Sequence, residues 1–158
     1  MLSISEITKS LEKLTAKEIL SWSLEQFEKE NIIVTTSCSL PVTIDLLYRD
    51  IKPSLSIPVV FVDTLHHFPE TLETANKLKQ NYGVDLQIYK PKGIKSREEF
   101  AQIYGQELWK HDIDRFHFLT KIQPLERALK ELKAEVWITG CDLNWSIEAV
   151  QPLHHRDF

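Results

Sequence analysis

The side chains best suited to chemistry are a serine-rich turn with a thiol, a pair of adjacent histidines and a second thiol. Ser37-Cys38-Ser39 follow the apolar run Ile32-Ile33-Val34 and the pair Thr35-Thr36, and precede Leu40-Pro41. That order reads as a buried strand, a short polar turn and a helix opened by proline. Free backbone N–H groups and the positive end of a helix dipole then meet at the turn, where a phosphate-bearing ligand would sit. Phosphate loops ordinarily place glycine here so that the backbone can approach the ligand. This turn has none, and an inherited turn without a ligand is the competing reading.

Asp63-Thr64 close a second apolar run, Val59 to Val62. Asp63 could reach a ribose or an adenine; its plainer use is to cap the turn. His66 and His67 come next, and Cys141 follows Gly140. Thiols and imidazoles drawn into one cleft would suit a metal or a redox pair. Two small core cysteines and two solvated histidines are the plainer reading. Glu70 suits a helix N-terminus. Lys121 and Arg127 flank a helix start, where a salt bridge competes with phosphate binding. Trp145 could stack on a base or simply pack, and His154-His155 read as surface.

The elements that must position these groups alternate. Ile4, Ile7, Leu11 and Leu14 recur at helical spacing, and Thr15 with Glu18 has the pattern of a capping box ahead of Leu20, Leu24 and Phe27. Strands are expected over 32–36, 59–62, 84–89 and 135–139. Between them, helices are expected from Pro41 to Tyr48, from Pro69 to Tyr82-Gly83, from Ser96 through Phe100 and Ile103 towards Leu108, and from Pro124 to Leu132. Lys90-Pro91-Lys92-Gly93 is a basic loop, and residues 111–120 carry no clear signal. Strands alternating with helices predict an α/β fold, a twisted, mostly parallel sheet with helices on both faces.

The chain has 158 residues, 42% hydrophobic and 27% charged, enough for one domain with its own core. We divide it into N-terminal helices (1–30), an α/β core (31–140) and a C-terminal segment (141–158). A net charge of −4 argues against general attraction to nucleic acid. Two cysteines are too few for a disulfide scaffold. No apolar run is long enough to span a bilayer and no secretion pattern opens the chain, so a cytoplasmic protein without a membrane partner is expected.

The chain resembles the phosphoadenylyl sulfate (PAPS) reductases of sulfate assimilation. The matching segments are Ile33-Val34-Thr35-Thr36-Ser37, Ile57 to Thr64, Phe68-Pro69-Glu70-Thr71, Tyr104-Gly105, Lys121 to Leu132 and Trp137-Ile138-Thr139-Gly140. The resemblance implies the adenine-nucleotide α-hydrolase-like fold, which is Rossmann-like. It also implies an adenine sulfonucleotide as ligand, thioredoxin as reductant and a homodimer. Carried onto this sequence, the nucleotide-binding positions are Ser37, Cys38, Ser39, Asp63, Thr64, Gly140 and Ser146. In the family's sheet order the strands before Cys38 and Cys141 are neighbours.

The departures matter as much. Ser39 stands where the family has the glycine of its phosphate loop, and Leu65 where a glycine follows Asp-Thr. The arginine-rich loop that grips the sulfonucleotide is replaced by Cys141 to Glu148, of which Ser146 alone fits the pattern. Bidentate arginine is the strong way to hold a phosphosulfate, and Asp142 and Glu148 reverse the local field. The motif with the nucleophilic cysteine is not found within the 158 residues, nor are the paired cysteines that hold an iron–sulfur cluster in the adenylyl sulfate branch. The expectation is a nucleotide-binding domain that does not reduce its ligand alone, with no catalytic residue, metal or cofactor of its own. The alternatives are a working reductase supplied with a thiol from elsewhere and a non-catalytic interaction protein that kept the fold.

Overall fold

A computed structural model describes residues 4–36, 42–53 and 55–140. The expectations at Ser37, Cys38, Ser39, Pro41, Cys141, Trp145, Ser146 and His154-His155 lie outside the described residues.

Helices α1 (Ile4–Leu11) and α2 (Ala16–Gln26) come first. The capping box is formed in full. Thr15 Oγ1 accepts from the Glu18 N–H at 3.3 Å, and Glu18 Oε2 accepts from the Thr15 N–H at 2.8 Å. These bonds hold the Glu18 carboxyl below its ordinary range. Strand β1 (Ile32–Thr35) follows, then α3 (Val42–Asp45), β2 (Pro58–Val62), α4 (Pro69–Tyr82) and β3 (Asp85–Tyr89). A long crossover carries α5 (Arg97–Tyr104), α6 (Leu108–His111), α7 (Ile113–His117) and α8 (Gln123–Glu131) before β4 (Val136–Ile138).

The sheet is parallel throughout, in the order β3-β2-β1-β4. The central strands are buried on both faces, as their unbroken apolar runs require. Ile32, Val34 and Val59 pack with Leu20, Ile44, Leu47 and Leu78 on one face. Ile33 and Val60 meet Ala128 of α8 on the other. Helices therefore cover both faces. Among the described residues no helix is long and apolar enough to cross a membrane.

Three stretches differ from the expected helices. The helix after β1 does not end at Tyr48; it widens into a π-helical segment over Leu46–Ile51, closed by the Lys52 N–H donating to the Leu47 carbonyl at 2.8 Å. A second π-helical segment, Phe118–Ile122, leads into α8. Pro124 has no N–H to continue the usual ladder, and the wide turn ahead of it absorbs that loss. Helix α5 stops short of Leu108 because Gly105 adopts φ 93°. The unassigned region 111–120 is divided by Asp112, which ends α6 and accepts the Arg115 N–H at 3.0 Å to start α7.

Candidate functional site

Parallel strands bring their C-terminal ends to one edge of the sheet. Thr36 follows β1, Asp63 to Leu65 follow β2, Lys90 follows β3, and Gly140 lies just beyond β4. β1 connects through α3 to β2 on one side, while β4 lies on its other side. The strand order thus reverses between β1 and β4, and ligands of open α/β sheets bind in the crevice outside such a switch point. The gap is narrow on the described side. A Cβ added at Gly140 would stand 3.0 Å from Thr43 Oγ1, so the end of β4 passes against the helix after β1.

The turn after β2 is built almost entirely from its own side chains. Asp63 is buried, and its N–H donates to the Tyr89 carbonyl at 2.8 Å, extending the β2–β3 pairing by one step. Asp63 Oδ1 accepts the Leu65 N–H at 2.9 Å, and Oδ2 stands 3.2 Å from Lys90 Nζ. Both oxygens of the carboxylate are thereby engaged by the protein. Thr64 Oγ1 accepts the His66 N–H at 3.3 Å.

Leu65 has φ 64°, the left-handed conformation that glycine adopts freely and other residues at a cost. The position where the resembled family has glycine thus keeps the backbone that glycine serves. Leu65 is held there by packing against the Ile94, Phe100 and Leu108 cluster.

His66 and His67 are not the solvated pair that their sequence suggested. The His66 ring meets Phe100, Trp109 and Phe116 edge to face at 5.0–5.6 Å, and its Nδ1 lies 2.8 Å from the Thr64 carbonyl. His67 Nε2 lies 3.1 Å from the Val62 carbonyl, with its ring 5.4 Å from Phe61. Each ring has one nitrogen committed to a backbone carbonyl and packs on aromatic neighbours, which places both in the wall of the edge. Among the described residues no three His, Cys, Asp or Glu side chains gather as a metal site. Cys38 and Cys141 lie outside that statement, although the strands that precede them, β1 and β4, are paired neighbours.

Arg127 is a structural residue of another kind than a simple salt bridge. Its Nη2 donates to the Lys90 carbonyl at 2.7 Å, its guanidinium lies 5.5 Å from the Tyr89 ring centre, and Glu131 is only a long 3.9 Å contact. Lys121 is exposed, and Glu70 sits in the first turn of α4. Of the expected nucleotide positions, Asp63, Thr64 and Gly140 lie on the strand-end edge. The Asp63–Lys90 pair was invisible in the sequence. It depends on the β2–β3 register, which sets Val62 opposite Tyr89.

A Rossmann-like α/β sheet with its switch point at β1 and β4 defines the class. Within that class, residues 31–141 match the phosphoadenosine phosphosulfate reductase domain family, and the chain belongs to that family. It is 37% identical over 132 residues to the phosphoadenosine phosphosulfate reductase of Saccharomyces cerevisiae, covering 80% of this chain and 50% of that protein. The phosphoadenosine 5′-phosphosulfate reductase of Salmonella choleraesuis is 33% identical over 144 residues, 89% of this chain and 57% of its own length. The chain thus spans about half the length of the curated relatives it matches. The crystal structure of phosphoadenylyl-sulfate reductase from Candida auris, a phosphate complex, superposes with a TM-score of 0.77 at 36% identity, covering 89% of this chain and 69% of that one.

Proposed function

We propose that these 158 residues form the nucleotide-binding part of PAPS reductase chemistry in sulfate assimilation, taking an adenine sulfonucleotide at the strand-end edge. The observation that carries the reading is the switch point between β1 and β4, flanked by Thr36 and Gly140. The Candida auris relative, solved as a phosphate complex, shows a protein of the same fold accepting an oxyanion. The ligand positions are Ser37, Cys38 and Ser39 in the turn after β1, Thr64 after β2, and Gly140 with Ser146 after β4; Asp63, its two oxygens taken by the Leu65 N–H and Lys90, stands beside the ligand without holding it.

The arginines that the family aims at the phosphosulfate are replaced here by Asp142 and Glu148 among residues 141–148. Adenine and ribose contacts therefore outweigh the 3′-phosphate. The thiolate that must attack the sulfonate sulfur comes from outside these residues, with thioredoxin as the final reductant, and the setting is cytoplasmic.

Calorimetric titration with adenosine 5′-phosphate, adenosine 3′,5′-bisphosphate and PAPS tests the binding. We expect micromolar affinity that differs less than tenfold with the 3′-phosphate. A chain that binds none of the three is the interaction protein of the competing reading. Sulfite release from PAPS with reduced thioredoxin tests the chemistry, and turnover by the chain alone within tenfold of a longer relative would overturn the external thiolate.

A further inference from the structure

An unbalanced carboxylate beside an anion-binding cleft would weaken it. Asp63 puts a carboxylate on the strand-end edge: its side chain is only 7% exposed, and its backbone is fixed to the end of β3. It follows directly on β2, whose paired neighbour β1 lies one strand spacing of about 4.8 Å away. Repulsion between this carboxylate and a phosphate over β1 acts partly through protein, where screening by water is weak.

Lys90 removes that charge. Its ammonium stands 3.2 Å from Asp63 Oδ2, across the ends of β3 and β2. The lysine is 43% exposed, and a long side chain of that exposure does not hold one position by itself. What holds its backbone is Arg127. The guanidinium lies over the Tyr89 ring, donates to the Lys90 carbonyl at 2.7 Å and is steadied by Gln123 at 3.4 Å within the same helix. Helix α8 therefore clamps the tip of β3, and the tip of β3 delivers a cation to the end of β2.

We propose that Lys90 and Arg127 are positioning residues for anion binding. Lys90 cancels the charge of Asp63 beside the cleft, and Arg127 holds the β3 tip where this can happen, neither residue touching the ligand. The inference rests on the nucleotide-binding reading above. It differs sharply from direct contact. A lysine that grips phosphate is needed whatever stands at position 63, whereas a lysine that only neutralises becomes dispensable once position 63 is uncharged.

The experiment is calorimetric titration of the full 158-residue chain with adenosine 3′,5′-bisphosphate at about 0.05 and 0.5 M salt. The variants are Lys90→Met, Asp63→Asn, the two combined, and Arg127→Gln with and without Asp63→Asn. Asparagine keeps the oxygen that accepts the Leu65 N–H, and Lys90 lies at the surface, so these variants retain the fold. Lys90→Met weakens binding about tenfold at low salt, equivalent to about 1.4 kcal/mol, and less at high salt, where charges are screened. The double variant returns to within threefold of the parent. Arg127→Gln weakens binding several-fold when Asp63 is present and has no effect in the Asp63→Asn chain, which a merely structural role would not produce. A double variant as weak as Lys90→Met alone, or a Lys90→Met chain that binds as the parent does, overturns the inference and leaves the nucleotide reading standing. A parent chain that binds no adenine nucleotide overturns the nucleotide reading, and the inference falls with it.

Discussion

Gly140 and Thr43 are packed to the limit: a Cβ on the glycine would stand 3.0 Å from the threonine Oγ1. Nothing in this contact requires a positive φ at Gly140. The constraint is space, where the end of β4 crosses the helix that follows β1.

Gly140→Ala should therefore destabilise the chain by about 1 kcal/mol, because the branched Thr43 must leave its preferred rotamer to make room. Thr43→Ala in the same chain should remove most of that cost. Urea unfolding of the two single variants and the double measures it. An additive double variant would show that the two residues do not press on each other.

Leu65 makes the opposite case, a constraint set by the backbone angle. At φ 64° a glycine is unstrained and an alanine is not. Both Leu65→Gly and Leu65→Ala lose the packing against Phe100 and Leu108, so both are less stable than the parent. Against the usual ranking, the glycine variant should be the more stable of the two by about 1 kcal/mol. Thermal unfolding that ranks alanine above glycine would show that the turn relaxes out of the left-handed region.

Tyr48 carries a pH dependence. Its hydroxyl donates to the Ile57 carbonyl at 3.2 Å inside the core, and burial, the largest cause, raises its pKa above the ordinary tyrosine value. A group whose folded pKa is raised contributes stability that is fully present below its unfolded pKa, about 10. That stability is lost as pH rises through the folded value. The parent should thus lose stability above pH ~10. Tyr48→Phe should cost about 1 kcal/mol at neutral pH and show a shallower alkaline decline. Parallel alkaline curves for the two proteins would remove Tyr48 from the effect.

Ser39→Gly tests the turn after β1 through binding alone. Restoring the glycine of the family's phosphate loop should preserve or strengthen nucleotide affinity, because it permits closer backbone approach. Loss of binding in a chain that unfolds at the parent's temperature would make the Ser39 hydroxyl essential.

Much of the fold was legible because the signals were local. Ile32 to Val34 and Val59 to Phe61 are unbroken apolar runs, and both are fully covered central strands. Thr15-Glu18 marked a helix start that forms as a full capping box, and the helix expected from Ser96 begins there, with Ser96 Oγ accepting the Glu99 N–H while Glu99 Oε2 accepts from the Lys95 N–H. Illegible features came from partners far apart in the chain. His66 looked solvated until Phe100, Trp109 and Phe116 arrived around it from the crossover. The Asp63–Lys90 pair needed a strand register, and the clamp on Lys90 needed α8 to lie over the end of β3. The π-helical segments had no signature in composition. Pro124 marked one of them, but the sequence read it as a simple helix start.

The strand order also sets a hazard during synthesis. β1 needs β2 on one side and β4 on the other, and 102 residues separate Thr35 from Trp137, which meet through the indole N–H donating to the threonine oxygen at 2.8 Å. A ribosome adds about 5–20 residues per second, so a nascent chain holds one edge of β1 open for roughly 5–20 s before its last neighbour emerges. During that interval a strand whose Ile32, Ile33 and Val34 are fully buried in the fold presents an unpaired row of backbone donors and acceptors, the kind of edge on which chains aggregate. Holdase chaperones would find their clearest target in this protein at Ile32–Thr35, after β3 has emerged and before β4 has.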